Sequence, residues 1–151
     1  MHARQAIVNL VAALLATSPL LATNPIIVGR NYPIDNEELP AVAVYGRTET
    51  CRVHVIGAPA RQERSLVLQI IAVIKQSDSD DTCNAYALEI ERVMFGQFQA
   101  RFGALDAVLI DLVFQGTAIT AHVETERPIR LCELTFTAVY RTPEGFADIV
   151  T

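Results

Sequence analysis

The residues whose types could do chemistry are the histidines, the cysteines and the acidic runs, and their spacing does not build a reactive site. His2, His54 and His122 lie far apart, with no His-x-x-x-His or mixed Cys/His spacing of the kind that holds zinc. Cys51, Cys83 and Cys132 are odd in number and include no Cys-x-x-Cys pair, so free buried thiols in a reducing cytosol are favoured over a disulfide framework. The run Ser77-Asp78-Ser79-Asp80-Asp81-Thr82 is rich in oxygens. A twelve-residue calcium loop, however, needs glycine at its sixth position and glutamate at its twelfth, and no choice of first aspartate provides both. Short acceptors and negative charge ahead of a helical pattern read instead as an N-terminal cap. Glu89 and Glu91, two apart on that helix, point in different directions and read as solvated charges rather than a carboxylate pair. Phosphate-binding glycine loops and the Gly-x-Ser-x-Gly elbow do not occur. The sequence therefore assigns no catalytic, cofactor-binding or metal-binding residue, and the expected class is not an enzyme.

The elements that would position any site are clearer. The 151 residues are enough for one domain, spanning 1–151, which can bury roughly two thirds of its unfolded surface. A hydrophobic share of 51% lies slightly above the usual range of about 45 to 50%, as expected if an interface is buried as well. Twelve basic against seventeen acidic residues give a net charge of -5, which argues against phosphate binding as the main function.

At the amino terminus, Ala3, Ile7, Leu10, Val11 and Leu14 share one helical face while Gln5 and Asn9 share another, which predicts an amphipathic helix. The competing reading is a secretion signal on a small secreted bacterial domain. A membrane span is disfavoured, because Asn9, Thr17, Ser18 and Pro19 interrupt the run short of the ~20 apolar residues required.

Short strands are expected at Ile26 to Arg30 and Ala41 to Tyr45, separated by a polar loop from Asp35 to Pro40. An extended arm from Arg47 to Arg61 should turn near Pro59 and return into a long strand beginning about Arg64. After the acidic cap comes a helix with Tyr86, Ile90, Val93 and Met94 facing inward. A strand from Val108 to Ala121 carries Gly116 where a bulge is expected, and a charged loop leads to a closing strand from Ile129 to Tyr140. Along that strand Cys132, Leu134, Phe136, Ala138 and Tyr140 should face the core. The fold class this predicts is α+β: an antiparallel or mixed sheet of about four to five strands against two or more helices, with a projecting β-hairpin arm.

One strand bears on assembly. From Leu66 to Ile74 both alternating sets are apolar: Leu66, Leu68, Ile70, Ala72 and Ile74 on one face, Val67, Ile71 and Val73 on the other, broken only by Gln69. A strand with one face in water should carry polar side chains there. Val67, Ile71 and Val73 are therefore expected to lie open in a lone subunit and to pack on a second copy, with Arg52, Val53, His54 and Val55 of the arm reaching across.

The order of these segments resembles a known family. Glu38-Leu39-Pro40-Ala41-Val42-Ala43-Val44-Tyr45, the arm, Arg61-Gln62-Glu63-Arg64-Ser65-Leu66-Val67-Leu68, Asp80-Asp81, the helix ending in Ile90-Glu91-Arg92-Val93-Met94, and Leu134-Thr135-Phe136-Thr137-Ala138-Val139-Tyr140 together resemble the tail terminator proteins of long-tailed bacteriophages, the lambda type above all. The resemblance runs from the first helix to about Arg141; the segment from Thr142 to Thr151 extends past it. It implies a homohexameric ring on the head-proximal end of the tail tube. There the ring would stop polymerisation of the tube protein, meet a head completion or connector protein, and let DNA pass through its lumen without specific binding. It further implies a virion component assembled in the host cytoplasm, with no cofactor and no membrane. Another neck or minor tail completion protein is the neighbouring reading.

Overall fold

In the computed structural model, which describes residues 1–29, 36–75, 80–99, 105, 108–122 and 128–151, a mixed five-stranded sheet in the order β1-β2-β3-β5-β4 packs two helices on one face. Helix α1 spans Ala3–Leu15 and α2 Asp80–Gln99; the strands are β1 Ile27–Val28, β2 Ala41–Val55, β3 Arg61–Lys75, β4 Asp111–His122 and β5 Ile129–Pro143. The α+β class expected from the sequence is the one observed.

Helix α1 forms where its apolar stripe predicts, and its buried residues are Ala3, Ile7, Val8, Val11, Ala12, Leu14 and Leu15. The His2 side chain accepts from the Arg4 amide at its start, and the Gln5 amide donates to Asn9 Oδ1 at 3.0 Å on the wet face. The stretch that could pass for a secretion signal is thus part of the core. Helix α2 buries Cys83, Tyr86, Ala87, Ile90 and Met94, with Val93 and Phe95 partly buried beside them. Phe95, Phe114 and Phe136 lie together, with ring centroids 5.1 to 6.4 Å apart, and tie α2 to β4 and β5. Asp80 and Asp81 stand in the first turn of α2, where their charge suits the helix dipole. Ser77, Asp78 and Ser79 lie outside the described residues.

Strands β2 and β3 are longer than sequence reading expected, reaching Val55 and starting at Arg61. They form the arm as one long antiparallel hairpin, shifted in register between Gly46 and Glu49. β5 follows β3 along its whole length, from Lys75↔Ile129 to Arg61↔Pro143, so the arm is braced on one side. Past Pro143 the chain stays attached: the Glu144 amide donates to the Ala60 carbonyl at 2.7 Å and the Thr151 amide to Arg141 at 3.0 Å. The Ala3 amide donates to the Ala147 carbonyl at 2.8 Å, which brings the two ends of the chain together. The expected irregularity at Gly116 is a register shift between Phe114 and Gly116, with φ of 150° at the glycine.

The expectation for the far side of β3 needs correction. Ile71 and Val73 are not open in the single chain but only 8% and 4% exposed. Leu39 and Ala41 form a small second core with them, and Ile27, Tyr45, Ile129 and Leu131 pack around it. The turn ahead of β2 folds its leucine back over the sheet, which no periodicity in β3 could reveal. Val67, on the same face beyond Gln69, is half-buried. Cys51 also departs from expectation: Cys83 and Cys132 are buried, but Cys51 is exposed because β2 is an edge strand there.

Candidate assembly interface

With Ile71 and Val73 covered from within, the sheet itself still offers a partner the middle of its far face, the end of the arm and its two edges. In the middle of that face Ser65, Val67, Gln69, Thr135, Thr137 and Val139 are half-buried and uncharged. Val67, Thr137 and Val113 sit side by side across three strands, and Gln115 donates to the Thr137 hydroxyl at 3.1 Å. This strip is mostly β-branched and carries no charge.

Towards the arm the same face becomes ionic. Glu63, on β3, is held by Arg52 across the β2–β3 pair and by Arg141 from β5 at 3.5 Å, with His54 Nδ1 at 3.6 Å. Hydrogen bonding from Arg52 keeps the Glu63 carboxyl below its ordinary range, against the opposing effect of desolvation, with Arg141 adding to it. Two of the arm residues proposed from the sequence, Arg52 and His54, therefore have partners inside their own chain. The other two, Val53 and Val55, are open: Val53 is 59% exposed, and Ile56, at the turn, is 94% exposed.

On the helix-covered face the root of the arm is built differently. Glu49 accepts from Arg64 Nη1 at 2.7 Å and from the Tyr140 hydroxyl, while Arg64 Nε donates to the Thr142 hydroxyl at 2.9 Å. Tyr140 and Thr142 are fully buried. Burial raises the Tyr140 phenol, and its bond to Glu49 raises it further. Each polar atom of this set that is taken from water meets a partner, so the set stiffens the arm root rather than offering reactive groups. The Cys132 thiol is likewise inert, pushed up to about 11 chiefly by burial.

Glu89, read from sequence as a solvated charge, is bound on both sides. Its carboxylate accepts from the Ser18 hydroxyl at 2.8 Å and pairs with Arg92 at 2.8 Å, and the Arg92 bond above all lowers its pKa. The signal available in the sequence was the Glu89–Arg92 spacing; Ser18 becomes a partner only through the packing of the two helices. Among the described residues no three His, Cys, Asp or Glu side chains gather as a metal site would require, and no helix is long and apolar enough to cross a membrane.

β1 covers only Ala43 and Val44 of β2, and among the described residues nothing pairs with the outer side of β2 from Gly46 to Val55 or with the outer side of β4. No family model and no curated protein sequence matches the chain.

Proposed function

We propose that this chain is a structural assembly subunit acting as a tail terminator: six copies close into a ring on the head-proximal end of a phage tail tube. The ring stops addition of tube protein and offers its other surface to a head completion protein, with DNA passing through the lumen. The role involves no catalysis, and the assembled ring is a part of the virion.

The observation that carries this reading is the apolar tip of the braced arm, where Val53, Val55 and Ile56 stand in water at the end of a long hairpin. Rigid strands bonded to β5 hold these side chains out, and an exposed apolar group so held gains on burial by a partner. Each such side chain contributes on the order of 1.5 to 3 kcal/mol when covered, before the entropy of association is subtracted. The resemblance of segment order to tail terminators gives the partner its class. In a ring the arm of one copy reaches its neighbour, and Val67 with the uncharged strip around it packs at the same junction.

The test is tail assembly with the Val55→Ser, Ile56→Ser double variant. Neither side chain is in the core, so the monomer should keep its thermal midpoint. Tails built with it should run overlong and fail to join heads. Tails of normal length joined to heads at the wild-type rate would overturn the reading.

A further inference from the structure

We infer that β4 of one copy pairs edge to edge with the open stretch of β2 in the next copy, so that the sheets of neighbouring subunits become continuous. The inference deepens the self-assembly part of the proposed function and is independent of the tail tube.

Edge strands carry a row of unpaired backbone donors and acceptors, and soluble proteins usually blunt them with lysine, proline or a covering segment. β4 has neither residue type, and from Leu112 to Ala121 it has no charge. Beyond the bulge at Gly116, the residues Thr117, Ala118, Ile119, Thr120 and Ala121 are all exposed, five consecutive positions of a regular strand. Unpaired backbone of this kind specifies its occupant chemically: another extended strand.

The same chain carries such a strand. β2 lies at the opposite side of the sheet, and Gly46 to Val55 has no outer neighbour among the described residues. Directions agree as well. β2 and β3, β3 and β5, and β5 and β4 are each antiparallel, so β4 runs opposite to β2. A copy added in the same orientation would therefore meet β4 with an antiparallel β2, the geometry with the better hydrogen bonds. Charge is matched too. Beside β4 a depression of about 310 Å³ is lined by Gln115 to Ala118, Thr135 and Glu133, and Glu133 has no ion pair among the described residues. On β2, Arg47 donates to the neutral Gln69 amide oxygen at 2.6 Å and lies over the Tyr45 ring, and it has no carboxylate partner among the described residues. Two different edges joined head to tail make a heterologous contact, which closes into a ring when the rotation per copy permits.

Cys51, exposed on the open stretch of β2, supplies the probe. Single cysteines are placed along the other edge in turn, as Thr117→Cys, Ile119→Cys and Thr120→Cys. Mild oxidation then reads which side chains come within disulfide reach, a Cα separation of about 4.4 to 6.8 Å. At least one position should yield cross-linked multimers on a non-reducing gel, and adding Cys51→Ser should abolish them. In parallel, Ile119→Lys should raise the concentration of half-association at least ten-fold by light scattering, with the thermal midpoint of the monomer retained. Oligomers that form without any Cys51 cross-link would overturn the edge pairing while leaving self-assembly intact. Cross-links that survive Cys51→Ser would show β4 pairing with β4 about a two-fold axis and overturn it as well. A chain that stays monomeric at every concentration would overturn both this inference and the ring.

Discussion

Replacing Ile71 by alanine separates cover supplied by the chain itself from cover supplied by a neighbour. Ile71 is 8% exposed in the lone chain, packed with Leu39, Ala41 and Val73 in the small second core. Removing a buried isoleucine down to alanine costs about 2 to 5 kcal/mol, depending on how far the surroundings collapse into the space. A cluster of four buried residues at the sheet surface relaxes more readily than the main core, so the lower end, about 2 kcal/mol, is expected. At about 2 to 4 °C per kcal/mol for a chain of this size, the thermal midpoint should fall by roughly 4 to 8 °C. Val67→Ala, at a half-buried position of the same face, should cost under about 1 kcal/mol. Urea unfolding of dilute monomer gives both numbers, and an unchanged slope would confirm that each loss belongs to the native state. Equal, small losses for the two variants would refute the reasoning, because Ile71 would then be as open as Val67.

Three further outcomes follow. Leu39→Ala should reproduce most of the Ile71→Ala loss, and the double variant should fall short of the sum of the two, since both side chains belong to one cluster; full additivity would separate them. Thiol labelling should modify Cys51 at once and leave Cys83 and Cys132 untouched until denaturant is added, because both are buried and the Cys132 thiol lies at about 11; three thiols labelled together under native conditions would contradict this. Glu63 and Glu89 both have folded pKa values below the usual carboxylate range, so each adds stability above its unfolded pKa and loses it as the pH falls through the lowered folded value. Glu89→Gln should therefore flatten the acid side of the stability profile, and an unchanged acid limb in urea titrations from neutral pH downward would count against the Arg92 and Ser18 contacts.

Local pattern carried a good part of this protein. The stripe Ala3, Ile7, Val11, Leu14 set α1, the alternation from Cys132 to Tyr140 set the core side of β5, and Gly116 marked the irregular point of β4, because each depends on neighbours close in sequence. The twofold apolar alternation of β3 was equally plain, but it predicts a face left open in the lone chain, whereas Ile71 and Val73 are covered from within and Val67 is half-buried. What covers the far face was not local. Leu39 reaches Ile71 and Val73 only after β2 and β3 have paired, and a leucine before a proline announces no such contact in a one-dimensional pattern. The same holds for the charges. Glu63 with Arg52 and Arg141, Glu49 with Arg64 and Tyr140, and Glu89 with Ser18 draw their partners from other strands and helices, and the lowered pKa values of Glu63 and Glu89 and the raised one of Tyr140 exist only once those elements meet. The edges too were settled by topology. The order β1-β2-β3-β5-β4 leaves β4 and most of β2 unpaired, and a strand's own residues do not state its place in the sheet, since the backbone hydrogen bonds that decide it are the same for every sequence.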